Sequence, residues 1–318
     1  MGASRASVGL GLAGGLLAGA LACTSAPPAG APATEPANGY VGDALCRSCH
    51  SVEASHWDRT LHARAFAHPR SELERRTCES CHGPGQRHVG DQTSSSIVAF
   101  TRGAAQEPGQ MNAMCLQCHA GGPLVHWIGS AHEVRDLACS DCHNPMAEQS
   151  AQSLLRLESV NATCLSCHQA QRAEFRRRSH MPVLEGKMSC VDCHAPHGSP
   201  TDPLLAADHV NELCTRCHAE KRGPFLFEHA PVRESCLNCH RPHGSNHERL
   251  LVTALPLLCQ ECHSPLDLPN VGHPSGLLGA GNLPESVFAD ERLMNRGCVN
   301  CHSQVHGSNH PSGPRFHR

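Results

Sequence analysis

The 318-residue chain has one long apolar run, and it lies at the N-terminus. The run extends from Val8 through Leu16-Leu17 to Ala22, with Arg5 ahead of it. It is rich in Gly and Ala and short for a membrane span, so residues 1–22 read as an export signal. Residues 23–39 follow as a Pro/Ala-rich tether with no packing period. Beyond residue 40, helical periodicity is brief. Ser51–Ala67 and Ala170–Arg178 read as short helices, and strand alternation is almost absent. Gly, Pro and Ser gather at recurring points, as turns require. The expected fold is mostly irregular, with short α-helices and almost no β-structure, over one region spanning residues 40–318.

Composition sharpens the problem. Only 3% of residues are aromatic, so the side chains that usually supply core area are scarce. Something other than side chains must fill the interior. The formal charge of −3 argues against a nucleic-acid partner, which a basic excess would announce. The sequence contains no dinucleotide-fold or phosphate-loop signature.

The 21 Cys resolve it. Twenty of them form ten C-x-x-C pairs, each followed at once by His. The pairs are Cys46/Cys49, Cys78/Cys81, Cys115/Cys118, Cys139/Cys142 and Cys164/Cys167, then Cys190/Cys193, Cys214/Cys217, Cys236/Cys239, Cys259/Cys262 and Cys298/Cys301. The adjoining His are His50, His82, His119, His143, His168, His194, His218, His240, His263 and His302. C-x-x-C-H is the attachment signature of c-type haem: two thioethers to the vinyl groups, and the His beneath the iron. Zinc ribbons use C-x-x-C without requiring a His after each pair. With His at 26 of 318 residues, ten out of ten by chance is on the order of 10⁻¹¹. Ten covalently bound haem c groups are therefore expected. They would form the core in place of the missing aromatics, and without them the chain should not fold. Haem attachment occurs outside the cytoplasm, in agreement with the export signal. Cys23 is the unpaired Cys; Ala20-Leu21-Ala22 before it suits either lipidation or ordinary signal cleavage.

A two-haem repeat organises the motifs. Odd-numbered motifs are trailed by a His 14 to 17 residues after their first Cys: His62, His132, His180, His229 and His273. Even-numbered motifs are trailed by a close turn carrying His88, His197, His243 or His306, the last with His310 as a rival. The chain thus reads as five tandem dihaem units whose trailing His are candidate second axial ligands. The fourth motif departs: its turn reads Asn144-Pro145-Met146, with Met where His is expected. Three readings stand for the iron at His143: ligation by His126, ligation by Met146, or an open position.

These residues resemble the MtrA/DmsE family of decahaem c-type cytochromes. The likeness covers about residues 40–318. It is most specific at Arg177–His180 with Gly186–His194, at Cys217–Phe225 with Glu228–Val232, at Cys301–Gly313, and at Cys78–Gly85 with His88. The resemblance implies an electron carrier, not an enzyme, that threads an outer-membrane β-barrel partner. It would join a periplasmic or inner-membrane cytochrome donor to an extracellular cytochrome or terminal reductase. It also implies a place in the periplasm and at the outer membrane. A chain with neither an apolar 20-mer nor amphipathic strands would need such a sheath, and a closed barrel is the permitted one. Two alternatives share the motifs: a soluble periplasmic shuttle, and a multihaem reductase with one open iron at His143.

Overall fold

In the computed structural model the described residues are 39–101, 103, 106–263, 298–311 and 313–316. The expected signal segment and tether, Cys23 and His273 lie outside them. As expected, the architecture is mostly irregular with short helices. The longest described helix, Pro108–Leu116, has nine residues. Among the described residues pairing between chain segments is limited to isolated bridges such as His143 with Leu155 and His194 with Leu205. No described helix is long and apolar enough to cross a membrane.

Each C-x-x-C-H forms a single turn. Outside the second motif, the proximal His N–H donates to the first Cys carbonyl at 2.8–3.0 Å. One turn places both sulfurs and the imidazole on the same side of the backbone. Ser side chains start several of these turns: Ser159, Ser189 and Ser235 accept from Ala162, Val191 and Leu237 N–H. The expected helix over residues 51–67 divides into Ser51–Trp57 and Leu61–Phe66. Thr60 divides it, because its Oγ1 accepts from Ala63 N–H and caps the second piece.

The protein core is small. Its buried hydrophobic residues include Trp57, Met111, Trp127, Leu165, Phe175 and Val183. Trp57, Trp127 and Phe175 stand at one repeat position, five residues before His62, His132 and His180. The scarce aromatics therefore recur beside the candidate ligands.

Candidate haem-ligand sites

The two Cys of a motif are not equivalent, although the sequence treats all ten pairs alike. The first Cys of every pair is half-buried. The second Cys is exposed in every odd-numbered motif: Cys49 is exposed, as are Cys118, Cys167, Cys217 and Cys262. Cys301 of the tenth motif is exposed too. The structure thus distinguishes six attachment sulfurs that the sequence leaves alike. The reason is the course of the backbone after the motif. In the second, fourth, sixth and eighth motifs a returning segment closes over the second Cys. Val98 N–H donates to the His82 carbonyl, and Arg156, Ala206 and Val252 N–H donate to the Cys142, Cys193 and Cys239 carbonyls, all at 2.9 Å. After Cys49, Cys118, Cys167 and Cys217 no such returning bond is made among the described residues. At Cys301 the segment returns lower, through Gln304 N–H to the Phe316 carbonyl at 3.0 Å. Exposure leaves all six as attachment candidates, because a thioether requires reach to a vinyl group and not burial.

Proximal His on even-numbered motifs share one anchor. The Nδ1–H of His82, His143, His194, His240 and His302 donates to a backbone carbonyl: Val98, Ser153, Pro203, Arg249 and Arg315, at 2.6–3.0 Å. This bond fixes the tautomer and presents Nε2 to a metal. In three of these loops the residue after the carbonyl is a Leu in the left-handed region: Leu154, Leu204 and Leu250 have φ of 47°, 59° and 59°. Each such residue costs about 1–2 kcal/mol. Their own carbonyls accept the N–H of Asn144, Ala195 and Arg241 at 2.6–2.7 Å. The strain thus serves to aim two successive carbonyls at the motif.

The trailing His complete the geometry. Seven proximal imidazoles face a second imidazole with ring centres 5.9–6.2 Å apart. The pairs are His50/His88, His119/His62, His168/His132, His143/His197, His194/His243, His263/His229 and His240/His306. An iron between two imidazole nitrogens needs about 2 Å on each side, and each ring centre lies about 1 Å behind its nitrogen. The expected separation is then about 6 Å, so these gaps fit an iron with two His ligands. No group of three or more His, Cys, Asp or Glu among the described residues could hold a bare metal ion. Burial lowers the pKa of His62, His197, His243 and His306, which favours the neutral form that ligation requires.

The partner of His143 differs from both sequence-based candidates. His197 faces it at 5.9 Å. His126 lines a cavity beside His197, together with Pro196 and Asp208. Its carbonyl would lie 1.9 Å from a Cβ placed on Gly198, a residue at φ 116°. Glu174 meets Gly244 in the same way at 2.0 Å, and its carboxylate lies 3.4 Å from Nδ1 of His243. His126 therefore occupies the place of a residue that supports a trailing His. The physical reason is the reach of the turns: the trailing His of an even-numbered motif bends back to an earlier motif and passes over its own. Met146 sits half-buried in the turn after His143. His180 donates from Nδ1 to the Arg177 carbonyl and pairs through Nε2 with Glu185, and it faces no proximal ring among the described residues.

The motifs also follow one another in space. Sulfurs of successive motifs sense each other at every step: Cys46/Cys78, Cys81/Cys118, Cys115/Cys139, Cys142/Cys164 and Cys164/Cys190. Cys193/Cys217, Cys214/Cys236, Cys239/Cys262 and Cys259/Cys298 continue the series. Burial and neighbouring groups push the free Cys78 thiol up to about 12. Three Asn residues fasten these steps. Oδ1 of Asn112, Asn161 and Asn211 accepts the N–H of Cys139, Cys190 and Cys236 at 2.7–3.0 Å. Their Nδ2 groups donate to Leu137, to Val183 and Met188, and to Val232 and Arg233 carbonyls. Each Asn stands three residues before the first Cys of an odd-numbered motif, a spacing visible in the sequence once the repeat is aligned. Glu79 was likewise hidden. Its buried carboxylate accepts N–H from Val41, Gly42 and Gly85 at 2.8–3.0 Å and ties residues 41–42 to the second motif.

The comparisons agree with this geometry. A family model described as a doubled CXXCH motif matches residues 132–173, 180–223 and 229–268. Each match begins on a trailing His of an odd-numbered motif. The chain is also 41% identical over 277 residues to the multiheme cytochrome MtrA of Shewanella baltica, covering 86% of this chain and 80% of that protein. The chain belongs to the MtrA family of multihaem cytochromes. Membership makes it an electron-transfer protein with covalently bound haem c.

Proposed function

We propose that the chain is a decahaem electron conduit. It would carry electrons between periplasmic redox partners and the cell exterior through an outer-membrane β-barrel partner. The observation that carries this reading is the unbroken neighbour order of the motifs, first to tenth, with no step skipped. Each bound haem supplies a one-electron carrier. The protein supplies the rest: paired imidazoles, tautomers fixed by backbone carbonyls, and Asn clamps between motifs. Seven imidazole pairs would each hold both axial positions of an iron, leaving those irons without a site for substrate. His180 with His218, and His273 with His302, are proposed as two further pairs. The absence of a membrane-crossing helix among the described residues is consistent with a partner that provides the sheath.

The test uses the holoprotein with the candidate barrel in liposomes that enclose an electron acceptor. A membrane-impermeant external reductant should reduce the acceptor only when both proteins are present. Equal rates with the barrel alone would refute the conduit. Transfer only to dissolved cytochromes, with none across the membrane, would favour the periplasmic shuttle.

A further inference from the structure

The facing imidazoles obey a register. Trailing His of odd-numbered motifs face the proximal His two motifs ahead: His62 faces His119, His132 faces His168, and His229 faces His263. Those of even-numbered motifs face two motifs back: His197 faces His143, His243 faces His194, and His306 faces His240. At the N-terminal end nothing lies two motifs behind the second, and His88 turns to His50 of the first. By this register the trailing residue of the fourth motif belongs to the second motif. The trailing residue is Met146 and the proximal residue is His82.

The local structure agrees. The turn holding Met146 shares three backbone hydrogen bonds with the turn holding His197. Ala147 N–H donates to Asn144 as Gly198 N–H donates to Ala195, at 3.3 and 3.0 Å. Asn144 N–H donates to Leu154 as Ala195 N–H donates to Leu204, at 2.6 and 2.7 Å. Arg156 N–H donates to Cys142 as Ala206 N–H donates to Cys193, both at 2.9 Å. Met146 and His197 therefore hold the same backbone position.

The opposing segment is repeated too. Residues 51–60 reproduce the burial of residues 121–130 position by position, including buried Trp57 and Trp127. Trp127 meets the His197 ring edge-on at 6.4 Å, so Trp57 holds the corresponding place for Met146. His132 and His229 donate through Nδ1 to the carbonyl just before a turn His, Pro196 and Val305. The corresponding carbonyl for His62 is Pro145, beside Met146. There the bond is not made, and His62 Nδ1 is buried without a partner. The repeat's bond is thus missing at the turn that carries Met, and at His180, whose Nδ1 donates to the Arg177 carbonyl instead.

His82 is prepared as a proximal ligand. Its Nδ1–H donates to the Val98 carbonyl at 2.8 Å and Phe100 packs on its ring at 5.3 Å. Among the described residues no imidazole faces it at the spacing of the other pairs.

We propose that Met146 is the second axial ligand of the iron at His82. This rests on the haem-ligand reading above. It gives the second carrier from the N-terminal end a His/Met ligand set, which raises its potential above that of bis-His neighbours. An electron would settle there before moving on, so this chain would carry a high-potential step near one end.

Two measurements on the oxidised and reduced holoprotein decide it. Near-infrared magnetic circular dichroism separates ferric His/Met haem from bis-His haem. The wild type should show one His/Met component, and Met146→His should convert it to bis-His. A wild type with bis-His haems alone, or a His/Met component that survives in Met146→His, would overturn the proposal and leave the conduit reading standing. Carbon monoxide titration of the reduced protein then identifies the iron. Met146→Ala and His197→Ala should each bind one equivalent more than wild type, and the double variant two. One added equivalent in the double variant would place both residues on the iron at His143 and overturn the assignment to His82. Failure of the liposome experiment with the His/Met component intact would count against the conduit alone.

Discussion

Asn161→Ala tests whether successive motifs are clamped by the protein or merely held by their haems. The Asn161 side chain makes three hydrogen bonds to the backbone: Nδ2 donates to the Val183 carbonyl at 3.0 Å and to the Met188 carbonyl at 2.7 Å, and Oδ1 accepts from Cys190 N–H at 3.0 Å. At about 0.5–1.5 kcal/mol each, their loss costs about 2–4 kcal/mol. The cost is local, because Asn161 spans the fifth motif and the loop leading into the sixth. Hydrogen exchange resolved to the peptide containing Cys190 is therefore the assay. At about 1.4 kcal/mol per decade, protection there should fall by about 30- to 900-fold. Peptides around Cys236, fastened by Asn211, should not change. Asn161→Asp keeps the acceptor for Cys190 N–H but sets an oxygen against two carbonyls, and should recover little of the loss. Protection within about threefold of wild type in Asn161→Ala would refute the clamp and assign the spacing to the haems alone.

Three further outcomes are expected. Ring planes are steeply crossed at His62/His119 and His132/His168, 78° and 60°, but within 35° at the other five pairs. Electron paramagnetic resonance of the oxidised protein should show large-gmax low-spin signals that His62→Ala diminishes; an unchanged spectrum in that variant would remove His62 from the ligands. Glu79→Ala should free residues 41–42, costing about 3 kcal/mol or more for the lost charge-assisted bonds, and limited proteolysis should then cut near Tyr40. Acid should loosen the ligand set. The buried imidazoles of His62, His197, His243 and His306 have lowered pKa values, so the unfolded chain takes up protons first as pH falls. Stability is complete above the unfolded value of about 6.5 and declines below it. A low-spin spectrum and a denaturation midpoint unchanged from pH 7.5 to 5 would contradict this.

Much of the chemistry was legible because it is written in short covalent spacing. C-x-x-C-H needs only one turn of backbone, and trailing His at fixed offsets announce a repeat. The spacing says nothing of what covers each sulfur, so the exposed Cys49, Cys118, Cys167 and Cys262 look the same in sequence as the half-buried Cys142 and Cys193. The partner of each trailing His also stayed hidden. Sequence proximity assigns a turn residue to its own motif and so sets Met146 against His143. The turns bend away from their own motif, and His197 reaches back from the sixth motif to face His143. His126 was drawn in for the same reason, although it holds the place that Glu174 holds beside His243. The helix over residues 51–67 looked continuous because Thr60 has no marked breaking power, yet its hydroxyl captures Ala63 N–H. The clamps at Asn112, Asn161 and Asn211 carry a sequence signal of N-x-x-C, and it acquires meaning only once each Asn is seen to hold the next motif.

The register of the pairs has a consequence for how the repeat can be built. In a stack of self-contained dihaem units, each unit would close its own ligand set and could be added or removed freely. Here the facing imidazoles come from motifs two apart, so no unit of two motifs closes alone. Removing the tenth motif would take away His306 and leave His240 of the eighth without its partner. The interior therefore behaves as one interlaced body in which nearest-neighbour terms outweigh the stability of any single repeat. Interlacing also explains why so little protein core suffices. Each trailing segment is fixed at one end by its own motif and would be fixed at the other by an iron two motifs away. Chain entropy is then removed by ligation rather than by apolar side chains. Only the ends must break the rule, and at the N-terminal end the break is visible: His88, with no motif two behind it, faces His50 instead.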